Sequence, residues 1–512
     1  MGSQEHDVCF ILEGTYPFVT GGVSAWVHNL IRGLPEISFT GISILPSASE
    51  ERPLRYELPD NFRDMHVIYL HDHQLAPAKK KNRRTVKKQV QAIREFHEKM
   101  KSKEYSDFPR LFETYKNGVN GLNIHDLMYG KDAWNLLTGF YGQYSPEASF
   151  IDYFWTYRVS HLPLFTIMAE KLPRAKVYHT VSTGYAGFVG VMAKYYFNRP
   201  LLLTEHGIYT KERRLEISTS RWIPSEEEPH QHVRRELGTF RDFWMRVFRS
   251  MGKLTYHEAT MITTIYEGNR LLQIADDADP QKIAVIPNGI DVEQYSGLKD
   301  VTRMDQRGVQ DEFVIGFIGR VVQIKDVKTF IRACKIASFQ IPKMKVEILG
   351  PTNEDPEYFE ECRELVRILD LDAVLTFRGS VKVQSYLPRL DLVVLTSISE
   401  AQPLVILEAN CTGIPVVASD VGACGDLLLG LTPEDKSLGP SGKVTKVADP
   451  AETAQAMVAI LSDPVLRSRM KEAGMTRVRK YYTQRDLNTK YLSIYRRLME
   501  AKNPEEVKPW RE

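Results

Sequence analysis

Val8-Cys9-Phe10-Ile11-Leu12 is an unbroken apolar run of strand length, and a loop from Glu13 to Gly22 follows it. Such a run, bounded by turn residues, reads as a strand buried on both faces. Val23, Trp26, Val27, Leu30, Ile31 and Leu34 then recur at helical spacing until Gly33-Leu34-Pro35 stops the helix. Strand, glycine loop and helix in succession open a doubly wound α/β domain. In that architecture ligands lie outside the carboxyl ends of the strands. The pair Gly21-Gly22 lets backbone approach a ligand closely, although two glycines alone also make a plain tight turn. At 512 residues the chain is too long for one core, so two domains are expected.

The α/β rhythm breaks between about residues 75 and 174, where a helical insertion is expected. Ala78 to Lys103 is basic, with Lys79, Lys80, Lys81, Arg83, Arg84, Lys87, Lys88, Arg94, Lys99 and Lys101. Val86, Val90, Ile93 and Phe96 share one helical face. This reads as a solvated helix with its apolar stripe on the core, or as a docking element for an anionic membrane surface or an acidic partner. Aromatic residues crowd Leu122 to Thr166, and packing between helices is their expected use. Strands resume at Ala175–His179 and Pro200–Thr204. His206 emerges at the carboxyl end of the second, where a ligand-facing side chain belongs. His179 is a weaker candidate. Lys211-Glu212-Arg213-Arg214 reads equally as a solvated charge run or as an anion-facing one. Pro287-Asn288-Gly289-Ile290-Asp291 is turn chemistry.

A second strand–loop–helix begins at Phe313–Ile318, with Gly319, Arg320 and Lys325 in its loop and Asp326 as the helix cap. Arg320 offers a planar fork of donors and Lys325 a mobile ammonium, both suited to a leaving diphosphate. Val374–Ser380, carrying Arg378 and Gly379, is a strand running into a loop. Leu392-Val393-Val394-Leu395 leads into Ser397-Ile398-Ser399-Glu400-Ala401-Gln402-Pro403-Leu404-Val405, and a helix is predicted to start at Pro403. Free N–H groups at Leu404 and Val405 and the positive end of the helix dipole make a seat for phosphate. Glu400 lies just outside that helix and Glu408 inside it.

Composition bounds the alternatives. A content of 43% hydrophobic and 26% charged residues is ordinary for a globular protein, and a net charge of +2 argues against a dedicated nucleic-acid binder. No apolar run reaches the roughly 20 residues that span a bilayer. The first residues show no basic-then-apolar secretory pattern. Five scattered cysteines fit a reducing compartment and small core residues. The expected location is cytoplasmic.

Glu400 and Glu408 in this setting, with Gly413-Ile414-Pro415-Val416-Val417 after them, resemble the donor-site signature of retaining glycosyltransferases of family 4. Gly319-Arg320 through Lys325 is similar to that family's Gly-Arg-x4-Lys motif, with Asp326 where glycine is usual. Gly21-Gly22-Val23 and Pro287-Asn288-Gly289 also match. The Ser-Glu-Ala-Gln-Pro form points to a branch that builds exopolysaccharide. The resemblance implies a GT-B fold of two Rossmann-like domains, 1–294 and 295–480, facing across a cleft, with a C-terminal helix (481–512) crossing back to the first. It implies transfer from a UDP-sugar to a polysaccharide without a metal or other cofactor, and a membrane synthase complex as partner. Catalytic roles fall to Glu400, Arg320, Lys325 and His206. Donor contacts fall to Gly21, Gly22, Gly319, Arg378, Gly379, Pro403, Leu404, Val405 and Glu408 as well. A sugar-nucleotide epimerase and a non-catalytic nucleotide-sugar subunit are the competing readings.

Overall fold

In a computed structural model the described residues are 5–49, 52–72, 83–102, 124–219, 239–301, 312–341, 343–501 and 503–507. The chain divides into two compact units. Unit 1 comprises 1–264, 269–285 and 491–512, and unit 2 comprises 265–268 and 286–490.

Unit 1 is built on seven strands: β1 His6–Glu13, β2 Phe39–Leu45, β3 Phe62–Tyr69, β4 Ala175–Thr180, β5 Leu201–Glu205, β6 Met261–Thr264 and β7 Ile283–Val285. Their order is β3-β2-β1-β4-β5-β6-β7, and every pairing is parallel. Parallel strands need helices on both faces, so β1, β2, β4 and β5 are apolar and buried nearly throughout. Strand order reverses between β1 and β4, which places the switch point at Glu13 and Ser182.

Among the described residues, four helices lie between β3 and β4: Arg83–Ser102, Ile124–Tyr129, Lys131–Tyr144 and Phe150–Ala169. Val90 and Ile93 are buried in the unit's core and Val86 and Phe96 pack against it, while Arg84, Lys87 and Lys88 are exposed. The stripe-on-core reading of the basic helix therefore holds over its described part; Lys79 to Lys81 and Lys103 lie outside the described residues. Phe140, Tyr153, Tyr157 and Phe165 are core, whereas Trp134 and Trp155 are about half exposed at 48% and 53%.

The last long helix, Gln484–Glu500, passes from unit 2 into unit 1 at Tyr491. A buried polar cluster ties its second half to the unit-1 sheet. His179 Nδ1 meets Tyr495 Oη at 2.7 Å, and its Nε2 meets Thr204 Oγ1 at 2.7 Å. The Tyr491 hydroxyl lies 3.0 Å from both Thr204 Oγ1 and Thr263 Oγ1. Both ring nitrogens of His179 are thus used internally, so it is a structural histidine.

Unit 2 has six parallel strands: β8 Phe313–Ile318, β9 Met344–Leu349, β10 Leu375–Gly379, β11 Leu392–Leu395, β12 Val416–Ser419 and β13 Gly442–Thr445. The order β10-β9-β8-β11-β12-β13 is that of a dinucleotide-binding sheet. Order reverses between β8 and β11. The loops leaving these two strands therefore meet where a nucleotide would sit. Arg477 is fully buried; its Nε donates to Asp435 at 2.6 Å and its Nη atoms donate to the carbonyls of Leu428, Asp435 and Gly439. All five cysteines are buried, and none forms a disulfide. No helix among the described residues is long and apolar enough to cross a membrane.

Candidate functional site

The β8 loop starts at Gly319 and turns through Gln323–Lys325 to Asp326. Asp326 has φ 44° and ψ 52°, in the left-handed region, where aspartate is one of the few tolerated side chains. Its carboxylate accepts from the Thr329 N–H at 3.3 Å, capping the helix Val327–Ser338. Aspartate thus supplies the backbone turn that glycine would give and adds a cap. Gly350 at the end of β9 allows the neighbouring loop to close in, since a Cβ there would lie 2.0 Å from the Gly319 carbonyl.

The β11 loop runs alongside. Ile398 N donates to Ile324 O at 2.9 Å, and Thr396 Oγ1 donates to Asp326 O at 2.8 Å. These bonds bring Lys325 and Glu400 into a direct ion pair, with side chains only 19% and 12% exposed. Ser397 Oγ donates to the same Glu400 oxygen at 2.6 Å. Gly422, at φ 55°, presses a turn against this loop: a Cβ there would lie 2.3 Å from Glu400 O. Arg320 Nη1 pairs with Glu354 at 2.6 Å, both about half exposed. Such an open pair is weak, so Arg320 can exchange its partner for a phosphate at little cost. Arg378 pairs with Glu347 at 2.9 Å, and Gly379 has open space where a Cβ would be.

The helix after Glu400 begins at Leu404, one residue later than predicted. Pro403, with φ −72° and ψ 114°, is its cap position rather than its first residue. A residue preceding the helix must be extended, and proline's fixed φ serves that conformation as well. No side chain caps the N–H groups that follow. Gln402 looks elsewhere: its Oε1 accepts from the Asn288 N–H at 2.7 Å, fixing the Pro-Asn-Gly turn to the site loop. Glu408 sits inside the helix. Burial pushes its carboxyl up, and the nearby Tyr295 hydroxyl draws it back down.

In unit 1, Gly21 and Gly22 stand at the start of the helix Gly22–Arg32, exposed and with open space around each. Nothing inside the unit requires glycine there. His206 lies 4.7 Å from Trp26, ring to ring, nearly perpendicular. Burial pushes its imidazole down to about 4, so it is neutral at physiological pH. Its Nδ1 and Nε2 are buried without a hydrogen-bond partner among the described residues. Leaving such groups unpaired costs about 1–3 kcal/mol each, which a hydroxyl-bearing ligand offsets. Just before it, Glu205 accepts from Tyr256 Oη, Gln273 Nε2 and Tyr209 N at 2.6, 2.9 and 3.0 Å. Its burial still raises the carboxyl to about 7. Arg213 is not free to meet an anion; it reaches Glu216 and Glu13 and lies over the Tyr209 ring.

Sequence reasoning gave no role to Ser397, Gln402 or Tyr295. The first two lie inside the recognised stretch but contribute hydrogen bonds that spacing does not show. Tyr295 follows the Pro-Asn-Gly turn in a 3-10 segment, Val292–Val301, with no periodicity to mark it. Among the described residues no three His, Cys, Asp or Glu side chains converge as a metal-ligand group.

Residues 6–281 match a family model described as a domain of unknown function (DUF3492), and residues 300–477 match the glycosyl transferases group 1 model. A D-inositol 3-phosphate glycosyltransferase of Corynebacterium kroppenstedtii is 32% identical over 206 residues, 38% of this chain and 44% of the relative. One from Corynebacterium urealyticum is 29% identical over 46% of this chain and 56% of its own length. The chain thus spans about half the length of the curated relatives it matches. Among solved structures, sucrose-phosphate synthase from Thermosynechococcus elongatus superposes with a TM-score of 0.57 at 18% identity, covering 96% of this chain and 98% of its own. Anabaena HepE, solved with UDP and glucose, gives 0.56 at 14% identity over 96% and 99%. These likenesses show a shared fold. The chain therefore belongs to the DUF3492 family, carries a region that matches the group 1 glycosyltransferase model, and has the GT-B fold.

Proposed function

We propose that this protein is a retaining glycosyltransferase that moves a hexosyl group from a UDP-sugar to a growing exopolysaccharide. One observation carries the reading: Lys325 and Glu400 meet at the β8/β11 switch point, beside an uncapped helix start and on the same loop as Arg320. The bond between the sugar's C1 and the diphosphate oxygen breaks, and its electron pair leaves with the diphosphate. Arg320, Lys325 and the N–H groups of Leu404 and Val405 stabilise that charge. Glu400 orients the sugar and supports positive charge near C1. The acceptor hydroxyl attacks from the face the diphosphate leaves, and its proton passes to a departing phosphate oxygen. Glu408 holds the ribose, and Gly319, Arg378, Gly379 and Pro403 line the donor.

Because two side-chain cations and the helix start supply positive charge, the reaction is proposed to need no divalent metal. EDTA is expected to leave turnover unchanged, and strict dependence on a metal would contradict the assignment. The UDP choice draws on the HepE complexes and on the Ser-Glu-Ala-Gln-Pro form, which resembles PelF of Pel exopolysaccharide synthesis. A PelF-like role adds a membrane synthase complex as partner, with the exposed Arg84, Lys87 and Lys88 as its anionic-surface contact. The deciding experiment is a thermal-shift panel of UDP, GDP, ADP and their sugars. Ligand at about 100 times its Kd stabilises by about 2.7 kcal/mol, a readily measured shift. UDP and a UDP-hexose are expected to shift the transition most; a panel with no response would sink the reading.

A further inference from the structure

Unit 1 has its own strand reversal, between β1 and β4, and a carboxylate of the chain already occupies it. Glu13 ends β1, and its side chain is only 16% exposed. The helix Tyr185–Phe197 follows β4 and starts behind Gly184, which has no side chain to cap it. Glu13 supplies the missing acceptor from the neighbouring strand. Its Oε2 accepts from the Ala186 N–H at 3.4 Å and from Ser182 Oγ at 3.3 Å. Its Oε1 accepts from the Tyr209 hydroxyl at 2.9 Å and lies 3.8 Å from Arg213 Nη2. Burial and the Glu13 charge push the Tyr209 hydroxyl up, so it keeps the proton that it donates. The packing is close: a Cβ on Gly184 would lie 2.3 Å from the Tyr209 hydroxyl and 2.8 Å from Glu13 Oε2.

A helix start, hydroxyl donors and a guanidinium are the groups with which a switch point grips a phosphate. Here all of them are spent on one internal carboxylate. Arg213 has no spare direction, since it also reaches Glu216 at 2.6 Å and lies over the Tyr209 ring. A phosphate brought to this edge meets a fixed negative charge where donors would otherwise stand. A sugar hydroxyl carries no charge to be repelled. We propose that Glu13 is a specificity-determining residue: its carboxylate fills the anion seat of unit 1, so this edge takes an acceptor sugar without a phosphate group and rejects a sugar phosphate. That the sugar is the acceptor rests on the functional reading above; that the seat is filled does not.

The test is calorimetric titration of inorganic phosphate, glucose 6-phosphate and glucose into the full chain, its Glu13→Ala variant and its Glu13→Ala/Arg213→Met variant, with excess UDP present to hold the donor site. Glu13→Ala removes a like charge and releases its donors. It is expected to bind phosphate and glucose 6-phosphate at least about tenfold more tightly than the parent, and glucose no differently. Arg213→Met should cancel most of that gain. Equal phosphate affinity in the parent and Glu13→Ala, a gain shared by glucose, or a gain that Arg213→Met leaves whole overturns the proposal. Glu13→Gln fills the same volume without the charge and decides the matter where the alanine variant does not fold; a smaller gain in the same direction is expected, and no gain overturns the proposal. Failure of the underlying reading shows separately: the parent then does not bind UDP, while the phosphate contrast between the parent and Glu13→Ala keeps its sign.

Discussion

Lys325→Met separates chemistry from scaffolding at the site. The substitution keeps the length of the apolar stem and deletes the ammonium. In the resting protein it strips Glu400 of its cation and leaves the Ser397 hydroxyl, 2.6 Å away, as a donor. The pair is mostly shielded, with side chains 19% and 12% exposed. Its loss should therefore cost more than the ~0.2–1 kcal/mol of a surface pair and less than the ~3–5 kcal/mol of a fully buried one. A value of about 1–2 kcal/mol lowers the melting temperature of a unit this size by roughly 2–8 °C. Under the proposed mechanism the loss in the transition state is larger, because there the ammonium faces charge that grows as the diphosphate departs. Deleting one preorganised donor costs about 2.7–4 kcal/mol, or roughly a hundred- to a thousandfold in kcat. The assay is UDP release from the donor selected by the nucleotide panel, run beside a melting curve. The double variant Lys325→Met/Glu400→Gln should recover part of the melting temperature and none of the turnover. A kcat within about threefold of the parent would refute the assignment of Lys325 to the leaving group.

Three further outcomes are expected. Gly422→Ala forces a Cβ to 2.3 Å from the Glu400 carbonyl at a left-handed φ; the backbone conformation alone costs ~1–2 kcal/mol, and turnover should fall as the Glu400 loop shifts, read by kinetics and melting. Arg477→Met leaves Asp435, 2% exposed, as an unpaired buried carboxylate and should destabilise by about 3–5 kcal/mol, measured by urea unfolding. Glu205 titrates near 7 when folded against an ordinary 4.5, so the folded state holds the extra proton between those values. Its contribution to stability is full below about 4.5 and is lost as pH rises through about 7. Glu205→Gln should flatten the fall in melting temperature over that window, and an unchanged slope would assign it to another group.

Much of this was legible in the sequence because two kinds of signal agreed. Continuous apolar runs such as Val8–Leu12 and Leu392–Leu395 have no exposed face, so they announce parallel strands, and the glycine loops after them mark where the sheet's carboxyl edge opens. The Arg320, Lys325, Glu400 and Glu408 set is local, since each residue lies within one loop or helix start. What spacing cannot carry is partner choice. Arg320 has turned to Glu354 and Lys325 to Glu400, and neither exchange follows from the order of residues. Proline suits the first helical turn, but the extended φ and ψ of the cap position that Pro403 takes suit it as well, and sequence does not tell the two apart. Gln402 acts across the fold, through register that only the packed core sets.

The anchoring of the terminal helix has a consequence for how the molecule is made. Strands β4, β5 and β6 leave the ribosome by residue 264, yet His179, Thr204 and Thr263 take Tyr491 and Tyr495 as partners, which are translated more than two hundred residues later. Until those tyrosines arrive, the first half of the protein carries a bare row of hydroxyls and an imidazole on its sheet. The packing of that sheet is thus deferred until Tyr491 and Tyr495 have been made.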